Sequence, residues 1–137
     1  MLQRIQSIWL LTASLFAFLT LKFSTYSGTN KKLIPSSFLT GTENIPMMLV
    51  TIAIGIIALV AIFLYNNRKL QIRLTALAIL LESVLIYLYY REIQLFVGKG
   101  AVSITALFHL LIILFLVLAA RGISADEKLI KDSNRLR

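Results

Sequence analysis

The sequence predicts an all-α fold: a four-helix transmembrane bundle, antiparallel and up-down, with a short C-terminal cytoplasmic helix. Two observations carry this expectation. The 137-residue chain is 58% hydrophobic and only 15% charged, with a mean hydropathy of +0.85, against about 45–50% apolar and about 25% charged in a soluble domain. Its apolar residues also fall into four blocks, each near the roughly 17–25 residues that a helix needs to cross the hydrocarbon core. None of the blocks alternates polar and apolar residues at period two, which excludes spanning strands.

The four spans are expected at about 5–23, 47–65, 73–90 and 102–120, within one membrane domain covering residues 1–137. The first holds Thr12, Ser14 and Thr20, whose hydroxyls can bond within the helix or to a neighbour. Lys22 closes it and no A-x-A site follows, so it reads as a retained span rather than a cleaved signal. Pro46 opens the second span at a first-turn position where its missing N–H costs nothing. The third contains Glu82 and the fourth His109.

Charge sets the expected orientation. Nine Lys and Arg residues lie in the N-terminal arm, the 66–73 turn and the tail, against five in the other two loops. The bias places both termini in the cytoplasm. The long loop at 24–45 has too few apolar residues to fold alone, although Ile34, Phe38 and Leu39 are expected to dip into the interface as a short helix. Gly98 and Gly100 predict a tight turn in the third loop. Gly122 is placed to end the last span, and Ser124 with Glu127 has the spacing of a capping box that starts a separate tail helix. Trp9, Tyr65, Tyr87, Tyr89, Tyr90 and Phe96 read as an interfacial aromatic belt. Thr51 with Gly55, and Ala13 with Ala17, mark close helix contacts.

Glu82 and His109 are the intramembrane polar candidates. A carboxylate at a helix centre costs on the order of 2.5–3.5 kcal/mol on insertion scales, so Glu82 is expected inside the bundle. Glu82 lies nine residues from Arg73, roughly 13 Å at helical rise. His109 lies eleven residues from Ala120, roughly 16 Å from the same side. Consecutive spans are antiparallel neighbours, so the depths match and a Glu82–His109 hydrogen bond is expected. The bond can serve as a helix clamp or as part of a proton relay. One His and one Glu are too few ligands for a metal, and no nucleophile motif accompanies His109. The chain has no cysteine, which removes thiolate chemistry. No catalytic residue and no cofactor is expected.

Several stretches share one further property. Met1 to Leu10 (MLQRIQSIWL), Asn67 to Arg73 (NRKLQIR), Asp126 to Lys131 (DEKLIK) and the closing Arg135-Leu136-Arg137 resemble a Bacteroidetes family of small four-span membrane proteins, DUF4293-like, of unknown function. Asn134 stands where relatives often carry Asp. The resemblance covers essentially the whole chain, implies a Gram-negative inner-membrane protein, and brings no activity or catalytic residue with it. All of these stretches lie on the face that charge assigns to the cytoplasm.

The expected partners are therefore the bilayer and a protein or anionic lipid met at a cytoplasmic face made of Arg4, Asn67, Arg68, Lys69, Gln71, Arg73, Lys128, Lys131 and Arg135. A homo-oligomer is compatible with the small contact motifs. Nucleic acid is not expected, since no basic stripe with interleaved aromatics occurs. The first functional reading is a non-enzymatic accessory or scaffold subunit. The alternative is a small oligomeric transporter or proton-coupled carrier using Glu82 and His109.

Overall fold

A computed structural model describes residues 2–29 and 37–135. Four helices dominate it: α1 (Leu2–Lys22), α2 (Ile45–Phe63), α3 (Arg68–Ile93) and α4 (Leu107–Arg135). All four are long and apolar enough to cross a membrane. Each packs on its neighbour in sequence, and α4 closes the ring against α1.

Lipid tails are as apolar as leucine, so burial from water cannot drive helix association here; close packing and interhelical hydrogen bonds must do so. The core is accordingly rich in small residues. Ala13 and Ala17 of α1, Ala58 and Ala61 of α2, Ala78 of α3 and Ala119 of α4 are all buried, with Leu10, Ile54, Leu85, Ile112 and Leu116 between them. The α3 face that turns inward reads Gln71, Thr75, Ala78, Glu82, Leu85 and Tyr89, a spacing of alternating four and three residues that keeps one stripe on the bundle axis. Ile8, Leu11, Leu15, Leu49, Ile56, Leu77, Leu80, Leu110 and Leu114 point outward, where lipid receives them.

The small contact motifs work within one chain. Gly55 meets α1 where a Cβ would fall 2.7 Å from the Phe18 ring. At the turn between α2 and α3, the Asn67 side chain accepts a hydrogen bond from the Leu70 N–H at 3.3 Å and caps α3.

The two loops at the opposite end differ from expectation. Ser37–Leu39, predicted to be helical, is a strand, and the third loop is not a tight turn. Tyr26–Thr29 (β1), Ser37–Leu39 (β2) and Val97–Val102 (β3) form an antiparallel sheet in the order β2-β1-β3. Tyr26 pairs with Leu39 on one side and with Val102 on the other. The expected fourth span consequently starts later, after a 3-10 turn at Ile104–Ala106. Pairing satisfies backbone groups that two independent loops would leave to water. Further bonds tie the sheet to the helices: Thr25 N–H donates to Leu39 at 2.8 Å, Ser103 N–H to Thr25 at 3.0 Å, and the Thr105 hydroxyl to the Ser24 carbonyl. Gly100 is needed because the Tyr26 ring lies where its Cβ would stand. Lys31, Lys32, Ile34 and Pro35 lie outside the described residues.

The tail is helical, as expected, but it is no separate helix. α4 runs unbroken through Gly122 and Ser124 to Arg135. Gly122 makes room for α1 rather than ending the span: a Cβ there would sit 2.9 Å from Gln6 Cγ. Ser124 is an exposed mid-helix residue, and its capping role falls away. Replacing Ser124 by Ala is therefore expected to change thermal unfolding in detergent by less than about 0.5 kcal/mol, not by the ~0.5–2 kcal/mol of a lost cap. Gly100→Leu, by contrast, should expose β1 and β3 to fast amide exchange while leaving the helices protected.

Candidate functional site

Glu82 comes from the middle of the inward stripe of α3 and is fully buried; His109 comes from the first turn of α4 and is 4% exposed. His109 Nδ1 lies 2.7 Å from Glu82 Oε1. That separation is at the short end for a nitrogen–oxygen hydrogen bond, where charge assists the contact or the proton is shared. Glu82 Oε2 and His109 Nε2 are both buried with no hydrogen-bond partner among the described residues.

Tyr89 completes the group, and the sequence reading missed it. Its ring centroid lies 4.7 Å from that of His109, at an interplanar angle of 56°. Tyr89 is buried, unlike Tyr65, Tyr87 and Tyr90, which are exposed as a membrane belt requires. The signal was present: Tyr89 follows Glu82 by seven residues, two helical turns along the same face. Its hydroxyl lies against Thr25 and Gly41, so this residue joins α3 to the base of the sheet.

The Glu82–His109 bond is one of a set. Ser14 Oγ donates to the Gly55 carbonyl at 2.9 Å, joining α1 to α2. Gln71 Nε2 donates to the Ala61 carbonyl at 2.9 Å, joining α2 to α3. Gln6 Nε2 donates to Asp126 Oδ2 at 2.8 Å, joining α1 to α4. Each neighbouring pair of helices in the ring thus carries a buried side-chain link. Three buried threonine hydroxyls turn back on their own helices: Thr20 to Ala17, Thr51 to Met47 and Thr75 to Gln71, at 2.7, 2.8 and 2.9 Å.

Two expectations change with this geometry. Gln71 does not belong to the cytoplasmic face, because its amide is spent on the Ala61 carbonyl inside the bundle. Asp126, between Ser124 and Glu127 of the expected capping box, is not at a helix start; it is buried mid-helix against Gln6. The other members of that face do gather at one end. Lys69 and Arg73 are exposed beside Arg68 and the capping Asn67, and Lys128 and Lys131 are exposed on α4. Lys131 Nζ approaches Glu127 at 3.4 Å, an i,i+4 surface pair. Arg4 sits near the start of α1 and Arg135 ends α4, at that same end of the up-down bundle.

No group of three or more His, Asp or Glu that could hold a metal forms among the described residues. Two ligands do not make a metal centre. What the pair can do is hold a proton between a carboxyl oxygen and an imidazole nitrogen, away from water.

A closed ring of four apolar helices with its polar groups turned inward defines a multi-pass α-helical membrane protein. The chain belongs to the DUF4293 family, a domain of unknown function, whose family model matches residues 2–136. Comparison with curated proteins and with solved structures returns no match.

The pair makes a clear demand on substitutions. Glu82→Gln keeps an acceptor and a donor and should preserve the fold. Glu82→Leu strands His109 Nδ1 and should destabilise the bundle by about 1–3 kcal/mol. Unfolding of both variants in one detergent, compared with His109→Leu and the double variant, measures the coupling; equal stability of Glu82→Leu and the parent would show that the bond contributes nothing.

Proposed function

We propose that this chain is a non-enzymatic accessory or scaffold subunit of a bacterial inner membrane, with both termini in the cytoplasm. The observation that carries this reading is the ring of polar links. A carrier that works by rocking one helix pair against the other must open two of the four interfaces in each cycle. Here each interface is held by a buried hydrogen bond, and loss of the two within the spans, Ser14–Gly55 and Glu82–His109, would leave a group unpaired with no water to replace it. Such a bundle suits a fixed platform. The end that carries Arg68, Lys69, Arg73, Lys128 and Lys131 is the surface it offers to a partner, and by the Lys and Arg bias that end is cytoplasmic.

A second reading has its own support. Glu82 Oε2 and His109 Nε2 lack partners, and an oligomeric proton-coupled carrier would use such groups. Proton flux separates the two. Proteoliposomes of the purified chain should hold a pH gradient as well as empty vesicles; leakage that Glu82→Gln abolishes would favour the carrier.

The scaffold reading itself rests on a partner. Mild-detergent copurification should recover a stoichiometric protein that is lost when Arg68, Lys69 and Arg73 are replaced by Ala together. Recovery of the chain alone in both cases would remove the reading. Orientation is tested on a chain without native thiols: a cysteine at Asn66 should be labelled only from the cytoplasm and one at Thr42 only from the opposite side.

A further inference from the structure

Helix α3 carries a marker of each membrane surface. Arg73 and Arg91 are both exposed and lie eighteen residues apart. That spacing is five full turns, so the two share one face of the helix at a separation of roughly 27 Å. The hydrocarbon core is about 30 Å thick. Arg91 therefore stands at the boundary on the sheet side, near the level of the lipid phosphates, and it has no ion pair among the described residues.

Just inside that boundary, between α3 and α4, lies a cavity of about 240 Å³. Ile86, Ile93, Val102, Ala106 and Leu110 wall it, and Tyr90 stands at its rim. Tyr89 and His109 close its inner side but are themselves buried, so an occupant meets apolar surface. Val102, Leu110 and Tyr90 are each more than half exposed on the outside of the bundle, and the cavity opens sideways between them. Glu82 is the midpoint between the two arginines. The α3 wall, from Ile86 to Ile93, runs from roughly 6 to roughly 17 Å beyond that midpoint. The cavity thus belongs to the leaflet on the sheet side.

Toward the membrane surface the apolar walls give way to Tyr90 and then to Arg91. A tyrosine settles where its ring is in an apolar medium and its hydroxyl is wet, and a guanidinium matches the oxygens of a phosphate with a fork of N–H donors. A phospholipid presents the complementary groups in the same order: acyl chain, ester carbonyl, phosphodiester. We propose that the cavity holds one acyl chain of a phospholipid from the sheet-side leaflet, with the Arg91 guanidinium on its phosphodiester. The volume is below the roughly 300–1,000 Å³ of a drug-sized site; it takes a segment of one chain and leaves the second chain in the bilayer. The site lies at the opposite end of the bundle from the basic surface of the accessory reading and stands independently of it.

The test uses the full chain in a lipid-free glucoside detergent, titrated with a phosphatidylglycerol that carries a diazirine on one acyl chain. After irradiation the cross-linked residues are mapped by mass spectrometry. Leu49, exposed on the outer face of α2, serves as the reference for unspecific contact. Saturable cross-linking at Ile86 and Ile93 is expected, against a linear rise at Leu49. Unlabelled phosphatidylglycerol should compete it away, and a dialkylglycerol without phosphate should compete about ten-fold less well. Arg91→Ala, a surface change, should raise the half-saturation concentration by about ten-fold or more. Ala106→Phe fills the cavity and should do the same, in a protein whose thermal unfolding matches the parent. The proposal is overturned if labelling at Ile86 and Ile93 rises linearly as at Leu49, if the phosphate-free lipid competes equally, or if Arg91→Ala binds like the parent. Absence of labelling at Ile86 and Ile93 at every probe concentration, as when a second copy of the chain covers the cavity, overturns it too. Copurification of a partner at the basic end is unaffected by any of these results.

Discussion

Hydrocarbon offers no hydrogen bonds, so a polar group that this chain carries into the membrane is costly unless it finds a partner within the chain. That constraint explains why the four interfaces are built alike. Each places one polar side chain on one helix against a carbonyl or an ionisable group of the next. The small residues around them let the backbones come close enough for such short reaches, as Ala61 does for Gln71 and Gly55 for Ser14. Threonines that have no cross-helix partner fold their hydroxyls back onto the preceding turn. Packing and these cross-helix hydrogen bonds are thus one arrangement here.

The two ends of the bundle are built differently. At the end carrying the termini, the chain turns over a short connection capped by Asn67, and basic side chains stand in water. At the other end, the first and third loops pair into a small sheet whose central strand, β1, follows shortly after α1. Tyr26 and Phe96 meet edge-on beneath it, with ring centroids 5.2 Å apart. The sheet ties the exit of α1 to the entry of α4. Thr25 and Gly41, at its base, meet the Tyr89 hydroxyl, which lies one ring contact from His109.

The helices and the central pair were legible in the sequence because both follow from strong, local costs. A charge-poor run of membrane length has few alternatives, and a carboxyl at mid-span has few places to go. The depth match between Glu82 and His109 needed only the rise of a helix. The sheet was illegible for a different reason. Its strands are three to six residues long, two helices separate β3 from the other two, and their pairing depends on glycines that read equally well as turns. Gly122 misled in the same way. A glycine beside a span end suggests a cap, whereas here it clears space for Gln6, a residue more than a hundred positions away. Gln71 shows the converse. Its position in a basic stretch suggested a surface, but the four-and-three spacing that it shares with Thr75 and Glu82 already placed it on the inward stripe.

The unbroken course of α4 has a mechanical consequence. At 29 residues and about 1.5 Å per residue, the helix is roughly 43 Å long, while the hydrocarbon core is only ~30 Å thick. The surplus projects from the membrane as a stiff spar with no joint at Gly122. His109 sits at one end of this spar and Lys131 near the other, with the Gln6–Asp126 bond acting as a fulcrum between them. A load applied to the tail is therefore not absorbed in a hinge at the membrane surface. It reaches the buried imidazole as a tilt of the whole lever, and α1 is turned with it.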